Sequence, residues 1–247
     1  MKFLNLFLAA TLIIFCCASC KKDTKPPENT PLLKIKSYTE EITSSTTGHT
    51  VETFNLQYDN DNRLTSLESV SASGSKFIYE YTSANAFTMD IFQANSLVIH
   101  EDFFLNGLTL VDSTFQYNNT ADTSTEKYLY NSGKQLEKKY EYDVIGGNSE
   151  LYNTITYTYN SQGNLITEVD DYSTTTYSYD EVILNTLTTS PIYLPLPKQL
   201  PTKMVYNSLS DSYTIEHTYT FDATNRLTVD KAEFDNGDIV LKTYTYF

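Results

Sequence analysis

The chain has 247 residues, with 31 acidic against 17 basic side chains and a net charge of −14. That field repels nucleic acid and anionic lipid head groups, so no nucleic-acid partner is expected. Hydrophobic residues at 40% permit a packed core and exclude wholesale disorder, and the 3 cysteines, all within the first twenty positions, leave the rest without a disulfide framework or a cysteine-rich zinc module.

Lys2 opens the chain as a positive n-region. Phe3 to Phe15 then form an apolar run broken by Asn5 and Thr11. This run suits a signal h-region and is short for a membrane-spanning helix, which needs roughly 20 residues. Ala18 and Ser19 lead into Cys20, an arrangement that resembles a bacterial lipobox. The resemblance implies a signal peptide over 1–19, cleavage before Cys20 and acylation of that cysteine. Membrane attachment would then run through the N-terminal lipid, each buried methylene contributing about 0.8 kcal/mol. The location implied is the outer membrane, on the periplasmic face or at the cell surface. An ordinary secretory signal that happens to contain cysteines is the plainer alternative. Residues 20–32 hold Pro26, Pro27 and Pro31 with almost nothing apolar, the composition of an extended polar tether.

From residue 33 onward one unit recurs: aromatic, any residue, aromatic, polar turn, leucine. Clear copies are LQYDNDNRLTSL at 56–67, YLYNSGKQLEKK at 128–139, YTYNSQGNLITE at 157–168 and YTFDATNRLTVD at 219–230. The last aromatic precedes the leucine by the same interval each time: Tyr58 to Leu64, Tyr130 to Leu136, Tyr159 to Leu165, Phe221 to Leu227. FFLNGLTL, YSYDEV and the terminal YTYF are degenerate copies. Residues two apart share one face of a strand, so Ile155, Tyr157 and Tyr159 oppose Thr154, Thr156 and Thr158. Tyr213, Ile215, His217, Tyr219 and Phe221 likewise share a face. The DNDN, NSGK, NSQGN and DATN stretches are turn chemistry. No long window keeps apolar residues at helical spacing. The fold expected for 33–247 is a single all-β domain: a long antiparallel meander of about twelve to sixteen strands, strongly curled or closed in part into a barrel. The tyrosines are expected inside. In 139–143, Lys139, Glu141 and Asp143 are therefore expected on the outer face and Tyr140 and Tyr142 on the inner one.

The unit carried by Tyr157, Tyr159, Asn160, Gly163 and Leu165 resembles the YD repeats of RHS-type proteins, which build long wrapping sheets. The whole layout of lipobox, polar tether, tyrosine-rich meander and proline-rich interruption resembles a family of secreted Bacteroidetes lipoproteins of porin-like fold. That resemblance implies a fold and assigns no catalytic residues.

The interruption at 183–201 carries Pro191, Pro195, Pro197 and Pro201. Proline cannot donate to a ladder, so no central strand is expected there. A loop that plugs or caps the core is one reading, and a binding lid or docking segment the other.

The chain offers little chemistry. His49, His100 and His217 sit in separate units without metal-ligand spacing, and His217 lies in phase with Tyr219, as a packed histidine would. Asp59 and Asp61 invite a calcium loop, but Arg63 and Leu64 occupy the positions where a ligand and glycine are needed. Glu40 and Glu41, like Asp170 and Asp171, are adjacent and so point to opposite faces. No nucleophile elbow, phosphate loop or metalloprotease motif is present. No metal and no cofactor is expected. The leading expectation is a non-enzymatic, lipid-anchored envelope protein with a binding or structural role toward a glycan or an envelope protein. The alternatives are a glycan-acting hydrolase or lyase with carboxylates assembled on the sheet, and a small integral outer-membrane barrel.

Overall fold

The computed structural model describes residues 34–71, 74–118, 123–180 and 199–247, with Ile183, Asn185, Pro191 and Tyr193. The signal segment, Cys20 and the tether over 20–32 lie outside the described residues. Among the described residues, sixteen strands follow one another without a helix. The first eight are β1 (Ile35–Ser44), β2 (Gly48–Tyr58), β3 (Leu64–Ser69), β4 (Ser75–Ser83), β5 (Ala86–Gln93), β6 (Ser96–Leu105), β7 (Val111–Asn118) and β8 (Thr123–Tyr130). The second eight are β9 (Leu136–Ile145), β10 (Asn148–Tyr159), β11 (Leu165–Val169), β12 (Ser173–Ser178), β13 (Lys203–Ser208), β14 (Ser212–Phe221), β15 (Leu227–Phe234) and β16 (Ile239–Tyr246). Every strand pairs antiparallel with its neighbours in sequence, and β16 pairs with β1, so the meander closes into a barrel. Closure removes the two free edges that an open sheet would expose.

The repeated turns share one geometry. In each, an Asp or Asn side-chain oxygen accepts backbone N–H groups two and four residues on. Asp59 does so from Asp61 and Arg63, each at 2.9 Å, and Asn160 from Gln162 and Asn164, each at 3.0 Å. Asn106, Asn131 and Asp222 repeat the pattern. The residue three after each of these is left-handed: Asn62, Thr109, Lys134, Gly163 and Asn225 have φ between 60° and 81°. Asn and Gly tolerate that region; Thr109 is held in it against the preference of a β-branched side chain. Aspartates 59 and 222 also hold Arg63 and Arg226 at 2.7 Å. These guanidiniums lie 4.2 Å and 5.0 Å from the ring centres of Tyr81 and Tyr246.

Two residues after each left-handed position an aliphatic side chain enters the barrel: Leu64, Val111, Leu136, Leu165 and Leu227, all at most 3% exposed. Ile35 and Phe87 occupy the same level in the remaining repeats. Above them sit the repeat tyrosines, each bonding to the floor residue behind it. Tyr58 donates to the Ile35 carbonyl at 3.1 Å, Tyr81 to Leu64 at 2.7 Å, Tyr130 to Val111 at 2.8 Å, Tyr159 to Leu136 at 2.8 Å and Tyr246 to Leu227 at 2.6 Å. Tyr219 makes the equivalent bond to Pro201 at 2.7 Å. The tyrosines are thus core, as the spacing predicts, and their hydroxyls are satisfied by main chain.

The proline-rich segment serves this same base. Pro191 is fully buried, and Tyr193 packs against Phe87 and Tyr81 with ring centres 5.7 Å and 6.1 Å away. The Tyr193 carbonyl accepts the Val111 N–H at 3.3 Å. Gln199 accepts from the Asn164 amide at 2.9 Å inside the core. The rest of 183–201, and with it the choice between a plug and a lid, lies outside the described residues. The described end of the chain lies here too, where the Phe247 N–H donates to the Lys34 carbonyl at 3.3 Å.

Candidate functional site in the barrel lumen

One expectation about faces fails, and the failure exposes the site. Beside each repeat turn the ladder register shifts, as at Tyr58, Tyr130, Tyr159 and Phe221. The extra residue means that the position three after the floor aliphatic, not two, returns to the lumen. Lys139, Glu141 and Asp143 therefore face inward, and Tyr140 and Tyr142 face outward, the reverse of the expected arrangement. Thr114, Glu168 and Asp230 are turned inward by the same shift.

The result is a belt of charge above the aromatic floor. Lys242 bonds Glu40 at 3.0 Å across the closing seam. His217 bonds Asp230 at 2.9 Å and stacks on Tyr219, so it is a packed histidine with a carboxylate partner. Tyr177 donates to Glu168 at 3.2 Å. The densest stretch crosses β7 to β10. There Thr114, Glu126, Glu141 and Asn153 stand directly opposite one another on four successive strands. Lys139 bridges the two glutamates, 3.0 Å from Glu126 and 2.6 Å from Glu141. Tyr128 donates to Glu126 from below. The Asn153 amide donates to Glu141 at 2.9 Å.

Glu101 completes the cluster from β6, one ladder step nearer the mouth, opposite Gln116. Burial raises its pKa to about 8, helped by the Glu126 charge and opposed by the Thr114 hydroxyl and Lys139. Glu126 and Glu141 both lie at salt-bridge distance from Lys139. Among the described residues, no three His, Cys, Asp or Glu side chains converge as metal ligands. The lumen is wet at its far end, where inward Thr50 and Asp143 are exposed, and dry at its floor.

The other sequence candidates lie elsewhere. His49 is at an exposed turn, 3.2 Å from the Thr43 hydroxyl. His100 is on the outer face between Asp90 at 2.5 Å and Asp102 at 3.4 Å, stacked on Tyr117. Asp59 and Asp61 serve their turn and the Arg63 ion pairs. Glu40 points inward and Glu41 outward, as adjacent strand residues must. The lumen row was missed because alternation was read through the turn without its bulge. The available signal was the residue three after each repeat leucine or valine.

The outside of the barrel is mostly hydroxyls and paired charge. Thr39 meets Thr53 at 3.0 Å, and Ser37 meets Thr245 at 2.7 Å. Lys76 pairs with Glu68 at 3.4 Å and Lys231 with Glu233 at 2.7 Å.

No family model and no curated protein matches the chain. Among solved structures it is similar to a porin-like protein from Bacteroides uniformis, at 18% identity and a TM-score of 0.63, with 88% of this chain and 98% of that one covered. It is also similar to a porin-like protein from Bacteroides vulgatus, at 12% identity and a TM-score of 0.56, with 86% and 98% covered. The likeness is one of fold, and it agrees with the porin-like β architecture implied by the tyrosine-rich layout.

Proposed function

We propose that this chain is a lipid-anchored envelope barrel that stands in water and acts as a binding or structural module, without catalysis of its own. The carrying observation is the polarity of its outer wall. A membrane-embedded barrel turns an apolar band about 25 Å tall toward lipid. Here threonine, serine, lysine and glutamate take most of the outward positions at mid-height, while the repeat aromatics fill the interior. A floor of aliphatic side chains, hydrogen-bonded tyrosines and Tyr193 supports a closed base rather than a conducting pore. The anchor rests on the Ala18-Ser19-Cys20 lipobox. The YD-like repeats supply the architecture, and the lumen supplies the polar groups for a glycan or envelope-protein partner. The test is metabolic labelling with a palmitate analogue followed by membrane fractionation. The native protein takes the label and sediments with membranes. Cys20→Ala loses both properties, and a label retained by that variant refutes the anchor.

A second reading, hydrolysis or lysis of glycans, is favoured by one observation, the buried Glu101, its pKa raised to about 8, near the Glu126 carboxyl. Paired carboxyls in opposite states are what general acid–base chemistry uses. Release of reducing ends from envelope glycans, lost in both Glu101→Gln and Glu126→Gln, would establish it over the binding role.

A further inference from the structure

From the lumen row we infer that Glu126, Glu141 and Asn153 form a binding site for a small organic ligand bearing a primary ammonium group. The inference deepens the binding-module reading and rests on it.

The second observation beyond the acidic cluster is a buried oxygen without a partner. Asn153 is 8% exposed, and its Oδ1 accepts no hydrogen bond. Its orientation follows from its partner, because the Glu141 carboxylate accepts the amide N–H at 2.9 Å. The free oxygen must therefore be an acceptor. Buried polar atoms of this kind are uncommon in folded proteins and point to an absent partner.

Charge and chemistry narrow that partner. Glu126 and Glu141, with side chains only 26% and 15% exposed, present two carboxylate groups to the single ammonium of Lys139. The row thus holds more carboxylates than cations. A group with one positive charge and several N–H donors completes the row: one donor reaches Asn153 Oδ1 and the others the glutamate oxygens. A primary ammonium has that charge and three donors. A neutral polyol leaves the charge unmet, and an anion is repelled. Asp143 and Glu150, opposite each other at the wet end, extend the same attraction toward the mouth.

The experiment is calorimetric titration of the purified protein with three probes: glucosamine, n-butylamine and glucose. Both amines are expected to bind, glucose at least tenfold more weakly, with proton release as the cation lowers the Glu101 pKa. Proton release is read by repeating the titration in buffers of different ionisation enthalpy. Asn153→Ala and Glu141→Gln are expected to weaken amine binding at least tenfold. The outward Glu233→Gln is expected to leave it unchanged. If glucosamine alone binds, the source is an amino sugar; if both amines bind equally, any primary amine suffices. Equal binding of glucose, equal weakening by Glu233→Gln, or no binding of either amine overturns the site, the last leaving water as the partner of Asn153. Should Asn153→Ala fail to fold by circular dichroism, Glu141→Gln carries the expectation alone. Loss of the lipid label in native protein would refute the anchor and leave this titration unaffected.

Discussion

The hydroxyl of Tyr159 donates to the carbonyl of Leu136, twenty-three positions earlier, at 2.8 Å. The bond joins the end of one repeat to the floor of the previous one, and the same connection recurs around the barrel base. Each tyrosine thus does two things: its ring fills the space above the floor, and its hydroxyl satisfies a main-chain acceptor beside a register shift. Such a group left buried without its donor costs about 1–3 kcal/mol.

Tyr159→Phe keeps the ring and removes the bond. Its expected cost is about 1 kcal/mol in urea unfolding. Leu136→Ala, which opens a cavity where the side chain is 1% exposed, is expected to cost about 2–5 kcal/mol. A smaller cost for Leu136→Ala than for Tyr159→Phe would show that hydrogen bonds, not the aliphatic floor, hold the base.

Thr109 sits at φ 60° where Gly163 stands in a sister turn. A left-handed L-residue costs roughly 1–2 kcal/mol, and glycine returns part of that as unfolded-state entropy. Thr109→Gly is expected to stabilise the protein by about 0.5–1 kcal/mol, seen as a higher urea midpoint with unchanged slope. A lower midpoint would mean that the threonine side chain contributes more than its strain removes.

Glu101 gives a pH signature. Its folded pKa of about 8 lies above the ordinary carboxyl value of 4.5, so the folded state binds more protons between those limits. Stability from this residue therefore falls as pH rises through that window, and the loss is complete above it. Glu126 and Asp102 push in that direction and Lys139 against it. Glu101→Gln is expected to flatten the profile and to exceed native stability by more at the alkaline end than at the acid end. Parallel profiles would show that Glu101 titrates normally.

Lys139 lies between Glu126 and Glu141. Lys139→Met leaves two poorly exposed carboxylates facing each other. Removing one partner of a buried ion pair costs about 3–5 kcal/mol, and residual solvation of these side chains brings the expectation to about 2–3 kcal/mol at neutral pH. Lys139→Arg, which keeps the charge, is expected to cost less than Lys139→Met in urea unfolding. An equal cost would trace the penalty to lost packing by the lysine stem.

Much of this fold was legible in spacing. The interval from Tyr130 to Leu136 marked a hairpin, the Asp and Asn turns followed from their side-chain chemistry, and Tyr157 faced the core as alternation required. Closure was less legible, because pairing of Ile42 with Val240 depends on how many strands curl and by how much, which no local window encodes. The lumen site was hidden for a sharper reason. One inserted residue at each bulge reverses all later alternation in the strand, so Lys139 and Tyr140 exchange sides while the sequence pattern stays the same.

Lys34 and Phe247 meet beside the aliphatic floor, and the exposed inward Thr50 and Asp143 lie at the other end. Were the proposed lipid stalk to join at Lys34, the barrel would stand like a cup on its stem. Its brim then looks away from whatever surface the stalk is fixed to. Cargo would arrive from the compartment beyond, and nothing would need to pass through the foot.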